Sequence, residues 1–129
     1  HIIEEVEKAA VKITDVTIVE GLAPHGGMYY EKDDGHLLEQ FDWWPQAEAV
    51  VGFFNTFQLT GEQKYLQQCL KSWKFIQNYI IDKKNGERFW GVDSELKHLK
   101  NTKVNPWKAS YHNGRMCMEM IRRIEMVIK

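Results

Sequence analysis

Apolar residues stand at Ile2, Val6, Ala9, Ala10, Ile13 and Val16, while Glu4, Glu5, Glu7, Lys8 and Lys12 take the other side. That spacing is one face of a helix running to about Val19, with Gly21 as its natural stop. A second helical run covers Asp42 to Leu59. Pro45 is tolerated only in a first turn, so Trp43 and Trp44 are predicted at the mouth of that helix. After the short break at Thr60-Gly61, a third helix is predicted from Glu62 to Asp82. Tyr65, Leu66, Cys69, Trp73, Ile76 and Ile80 form its buried face. A break this short allows only an antiparallel helical hairpin. The fourth helix runs from Met116 to Ile128 behind Ser110, the expected N-cap. Met116, Cys117, Met120, Ile121, Ile124 and Val127 give it a wide apolar face, with Arg122 and Arg123 outside.

Two long connectors separate these runs, and connectors of such length are uncommon unless they carry function. The first, Gly21 to Asp42, holds a strand candidate at Met28–Glu31 and a turn at Asp33-Asp34-Gly35. His25 and His36 lie among turn residues and are expected in solvent. The second, from Lys83 to the Pro106 stretch, holds a strand candidate at Arg88–Val92. Each connector follows a helix and ends in an aromatic-rich helix start. This is a weak repeat of about sixty residues, as in toroids of stacked helical hairpins. The fold class expected is all-α, a partial (α/α) toroid of about four helices with strand pieces in the long loops. In such a repeat equivalent loops share one end, so both aromatic clusters would face one pocket.

Composition narrows the partners. The net charge is −1 with both signs interspersed, and no block of like charge suggests a nucleic acid or a membrane surface. No apolar run is long enough to span a bilayer and no signal peptide is evident. The two cysteines, Cys69 and Cys117, lie on apolar helical faces. They read as buried thiols in a reducing, cytoplasmic setting, with a disulfide between them left open. The length of 129 residues is that of one domain with a real core. The chain begins inside an amphipathic helix without an initiator methionine, so a fragment is expected.

Aromatic residues make up 12% of the chain, and several lie beside polar groups. Sugar rings stack flat C–H faces on aromatics while their hydroxyls need hydrogen-bond partners, so mixed walls of this kind suit a carbohydrate. Aromatics also dominate helical cores. The densest such stretch is Pro106-Trp107-Lys108-Ala109-Ser110-Tyr111-His112-Asn113-Gly114-Arg115, at the entry to the last helix. Loops held by rigid helices are where binding and catalytic side chains gather. The plainer alternative makes Trp107 and Tyr111 core packing and His112 a hydrogen-bonded helix-start histidine. At the other helix mouth, Gln46 and Glu48 follow Trp43 and Trp44. A capping role for Glu48 and packing roles for the tryptophans are the competing account there.

Several ordered motifs together carry a resemblance. They are Trp43-Trp44-Pro45-Gln46-Ala47-Glu48-Ala49, Gly52-Phe53, Gln58-Leu59-Thr60-Gly61, Trp73 with Phe75-Ile76, Gly86-Glu87 with Trp90, Pro106-Trp107-Lys108, Tyr111-His112-Asn113-Gly114-Arg115-Met116-Cys117 and Glu119-Met120. The chain resembles the C-terminal portion of the N-acylglucosamine 2-epimerase and cellobiose 2-epimerase family, and the cellobiose branch more closely. The resemblance implies that residues 1–129 form a single domain, the C-terminal third of an (α/α)6 barrel. It implies epimerisation at C2 of a reducing-end mono- or disaccharide, without a metal or nucleotide redox cofactor. Two histidines would work from opposite faces of the opened sugar, and an imidazole suits this because it alternates as base and acid near neutrality. His112 matches one of them. Trp107 matches a tryptophan that stacks on the sugar, and Trp44, Gln46 and Glu48 match another wall of the pocket. Trp90, Tyr111, Asn113 and Arg115 complete the substrate-binding set. The family's other acid/base histidine is not matched, and His1 does not take its role.

An open arc of hairpins leaves apolar flanks uncovered, so self-association through them is expected. With one histidine the isolated chain should be impaired in inverting C2. Two other readings remain: a noncatalytic sugar-binding or oligomerising module of the same fold, and a glycoside hydrolase pairing Asp42 or Glu48 with Glu119.

Overall fold

In the computed structural model, which describes residues 1–128, α1 (Ile2–Val16) is followed by a hairpin of β1 (Glu31–Asp33) and β2 (His36–Leu38). Next come β3 (Phe41–Asp42), running straight into α2 (Trp43–Thr60), then α3 (Gln63–Phe75), β4 (Gly91–Val92) and α4 (Tyr111–Val127). The helices fall where the periodicity predicts them. Two of them finish in a wider π turn, at Thr17–Gly21 and Ile76–Ile80, so the first helix gives up α geometry at Val16 rather than Val19. Ser110 does occupy the N-cap position of α4, but its side chain makes no capping bond.

The centre of the arc is α2. Ala47, Ala49, Val50, Val51, Phe53 and Phe54 are all buried, a helix enclosed on several sides. Burying each larger side chain stabilises by about 1.5–3 kcal/mol. Gly61 closes α2 in the left-handed region, at φ 73°, and donates its N–H to the Phe57 carbonyl at 2.8 Å. That sharp reversal sends α3 back antiparallel, and Tyr65, Cys69, Phe75, Ile76 and Ile80 close over α2.

The outer helices are covered on much less of their surface. In α1 only Thr14 is buried, its hydroxyl 2.8 Å from that of Thr56, while Ile2, Val6, Ile13 and Val16 face outwards. In α4 Asn113 and Met116 are buried, and Ile121, Ile124 and Val127 are exposed. Cys117, expected to be buried, is exposed. Its side chain lies about 100° round the helix from Met116, beyond the stripe that α2 covers. Arg123, expected outside, reaches back to α2 and donates to Asn55 Oδ1 at 3.0 Å and Gln58 Oε1 at 2.7 Å. No described helix is long and apolar enough to cross a membrane.

The two long loops meet. β3 pairs antiparallel with β4, Phe41 opposite Val92 and Asp42 opposite Gly91. Only glycine fits there, because a Cβ on Gly91 would stand 2.5 Å from the Phe41 carbonyl oxygen. The Trp43 N–H then donates to the Trp90 carbonyl at 2.8 Å. The expected turn at Asp33-Asp34-Gly35 is present, but its strand starts at Glu31 rather than Met28. Met28 instead bridges to Leu22 and is clamped by Gln46. Gln46 Oε1 accepts from the Met28 N–H at 2.7 Å, and its Nε2 donates to the carbonyls of Met28 (2.8 Å) and Asp42 (2.9 Å). His25, expected in solvent, stacks on Phe75 at 5.0 Å and sets its edge to Phe41 at 4.9 Å. The loop is drawn onto α3 there, where the Ser72 hydroxyl donates to the Gly26 carbonyl at 2.9 Å.

Gln46→Leu removes the clamp at nearly constant size and leaves buried backbone groups without partners. The expected loss is about 2–3 kcal/mol in urea unfolding, with the helical circular dichroism of the folded state unchanged.

Candidate functional site at the mouths of two helices

Glu48 lies in α2, four residues after Trp44, and His112 and Arg115 are three apart in the first turns of α4. Each spacing puts its members on one helix face, and the β3–β4 pairing turns those faces towards each other. His112 Nδ1 lies 2.8 Å from Glu48 Oε1, and Arg115 Nη2 donates to Glu48 Oε2. A carboxylate oxygen accepts, so Nδ1 is the donor of this pair, and a neutral ring in that arrangement would keep its lone pair on Nε2. The Trp44 ring stands 5.7 Å from the imidazole, and Tyr111 meets it edge-on at 5.0 Å. Tyr30, from the first loop, packs edge-on to Trp44 at 6.3 Å. Side-chain exposures of 33% for His112, 32% for Glu48 and 41% for Arg115 leave the cluster both ordered and reachable.

Behind it lies a largely buried scaffold. Trp90 Nε1 donates to Asp42 Oδ2 at 3.0 Å, and its ring meets Trp43 at 4.6 Å. Burial raises the Asp42 carboxyl above its ordinary range, against the hydrogen bonds from Gln40 and Trp90. The Lys108 ammonium is buried, donating to the carbonyls of Arg88 (2.8 Å) and Lys103 (2.7 Å) with Glu87 Oε1 at 3.5 Å. Burial lowers its pKa, while Glu87 works the other way. Burial tends to raise Glu87 itself, yet the Arg88 N–H, Lys108 and Asn113 hold it below its usual value. Asn113 Nδ2 donates to Glu87 Oε1 at 2.7 Å.

The structure thus brings together His112, Glu48, Arg115, Trp44 and Tyr111. Four other residues expected in the pocket wall stand differently. Gln46 is fully enclosed with its amide engaged by backbone, because it lies about 160° round α2 from Trp44 and Glu48. Trp90 and Asn113 turn their polar groups to Asp42 and Glu87. Trp107 is 85% exposed. Asn105 Oδ1 accepts the N–H groups of both Trp107 (2.9 Å) and Lys108 (2.7 Å), a turn that sends the lysine inwards and the indole out. Asp42, Glu87 and Lys108 were not legible as site supports. The one sequence signal was a lone lysine inside an aromatic loop. Glu119, the carboxylate a hydrolase would pair with Asp42 or Glu48, is engaged by Arg122 and Arg123 on its own helix. The apolar groove between α3 and α4, about 430 Å³ and lined by Leu70, Trp73, Cys117 and Ile121 among others, does not include His112.

The family model described as N-acylglucosamine 2-epimerase (GlcNAc 2-epimerase) matches residues 4–115. The chain belongs to this family. It is 40% identical over 124 residues to a cellobiose 2-epimerase of Bacteroides fragilis, covering 93% of this chain and 31% of that protein. It is 28% identical to the N-acylglucosamine 2-epimerase of Bos taurus, covering 78% of this chain and 26% of that one. Among solved structures, a sugar epimerase from a ruminal bacterium superposes with a TM-score of 0.88 at 37% identity, over 93% of this chain and 31% of the other. The chain therefore spans about a third of the length of such epimerases, and its helices are an arc of the (α/α) toroid.

A double-mutant cycle between Glu48→Gln and Arg115→Met tests the shared carboxylate. The two side chains are 41% and 32% exposed, so screening limits the expected coupling to about 1 kcal/mol, falling with added salt.

Proposed function

We propose that this chain carries one wall and one proton-transfer group of a sugar 2-epimerase site acting on a reducing mono- or disaccharide. The observation that supports it best is the His112–Glu48–Arg115 cluster beside Trp44 and Tyr111. In this reading Trp44 and Tyr111 offer faces to the sugar, and Nε2 of His112 takes the proton from the carbon next to the open-chain carbonyl. The electron pair left behind moves into an enediolate, and the imidazolium, stabilised through Nδ1 by Glu48, returns a proton to the same carbon. Trp107 joins the wall by folding inwards over a bound sugar. Gln46, Trp90 and Asn113 support the wall from behind.

Among the described residues the other histidines are placed elsewhere. His25 lies against Phe41 and Phe75, His98 against Phe89, and His1 and His36 are exposed. A single base that exchanges the abstracted proton with solvent delivers the replacement to the same face of the carbon. In D2O with a reducing disaccharide such as cellobiose, the isolated chain is expected to place deuterium at C2 with configuration retained and little 2-epimer formed. His112→Asn abolishes the exchange. Glycosidic cleavage, or exchange that survives His112→Asn, would overturn the assignment. The same fold acting only as a sugar-binding module has one observation in its favour, that no second histidine stands opposite His112 among the described residues, and predicts binding without exchange.

The uncovered faces of α1 and α4 also support self-association between copies of the isolated chain. Light scattering is expected to give a mass above the monomer's, and Ile121→Glu with Ile124→Glu to return it to the monomer. A monomeric parent chain refutes this.

A further inference from the structure

Lys108 is 2% exposed, the most deeply buried charged side chain among those described. Enclosing an ammonium is costly unless each of its donors finds an acceptor. Here two donors meet the Arg88 carbonyl at 2.8 Å and the Lys103 carbonyl at 2.7 Å, and Glu87 Oε1 stands 3.5 Å away as an ion-pair partner. The Trp43 ring, at the mouth of α2, lies 5.3 Å from the ammonium. Glu87 Oε1 in turn accepts from Asn113 Nδ2 at 2.7 Å, and Asn113 directly follows His112. One cation therefore ties together the segment after α3, the loop before α4 and the mouth of α2. Through Glu87 it also reaches the first turn of α4.

Closing the loop alone does not require this. Lys103 already closes it from the outer side, pairing with Asp82 and donating to the Gly86 carbonyl at 3.1 Å. What Lys108 adds is an ion-pair contact to Glu87, whose Oε1 also accepts from Asn113 in the first turn of α4. His112 is 33% exposed, and its Nδ1 bond to Glu48 holds only while that turn keeps its rotation.

We propose that Lys108 is a positioning residue for His112: by holding Glu87 against Asn113 it keeps Nδ1–H on Glu48 and leaves Nε2 free to move the substrate proton. The second half of this statement rests on the epimerase reading; the first does not.

The test follows the ring nitrogens of His112 in the 15N-labelled chain, by long-range proton–nitrogen correlation in alkaline solution where the imidazole is neutral. The parent chain is expected to show a protonated Nδ1 and an unprotonated Nε2. Lys108→Met and Glu87→Gln each move the signals towards the Nε2–H tautomer. Lys103→Met lowers the melting temperature but leaves the tautomer alone. In the C2 exchange assay Lys108→Met slows exchange by about tenfold to a hundredfold with sugar affinity little changed. The proposal is overturned if folded Lys108→Met and Glu87→Gln keep the parent tautomer, or if Lys103→Met shifts it as far. Should Lys108→Met fail to fold, Glu87→Gln decides, since it leaves the ammonium its two carbonyls. A shifted tautomer alongside exchange that survives His112→Asn would keep the positioning role and remove the epimerase reading instead.

Discussion

Two residue pairs, Phe41 with Val92 and Asp42 with Gly91, set where everything at the site stands. They join the loops that precede α2 and α4, which the chain otherwise keeps far apart. Glu48 and His112 are 64 residues from each other in sequence. The closure entropy for such a separation grows only slowly with length, so a short ladder with a few side-chain bonds can hold it. The ladder has those bonds: the Trp90 indole on Asp42, and the Trp43 N–H on the Trp90 carbonyl. Gly91 is where the design tolerates least, because the strands approach until no side chain fits between them.

The shared carboxylate acts on orientation more than on stability. Half-exposed ion pairs contribute little to folding, yet Glu48 sets which imidazole nitrogen acts as the donor and so which one is left free. Arg115 completes the arrangement by holding the carboxylate turned towards α4. For the proton transfer proposed above, a neutral imidazole with a defined tautomer is what abstraction next to a carbonyl requires.

The helices and their hairpin were legible because period and breakers act locally. Pro45 marked one site mouth and Pro106 the loop leading to the other. Which side chains turn inwards in the loops was not legible. Hydrophobicity would put Trp107 inside and Lys108 out, and the structure does the reverse, because Asn105 turns the backbone and two carbonyls wait for the ammonium. Gln46 was readable in principle, since it lies nearly opposite Trp44 and Glu48 on α2. Taking the helix mouth as one cluster concealed that. His25 escaped because its aromatic partners come from β3 and α3, which no local pattern links to it.

The position of α4 follows from the same economy of contacts. Most helices are placed by an apolar stripe against a core, but α4 buries little beyond Asn113 and Met116. Polar side chains fix it along its length instead. His112 and Arg115 meet Glu48, Asn113 meets Glu87, the Arg88 guanidinium lies 3.6 Å from Met116 Sδ, and Arg123 reaches Asn55 and Gln58. Hydrogen bonds are directional where apolar contact is not, so these bonds set the rotation of the helix as well as its distance from α2. Rotation is what lets a histidine point one nitrogen at a carboxylate and leave the other free. An apolar seam would hold α4 as firmly and aim it less well.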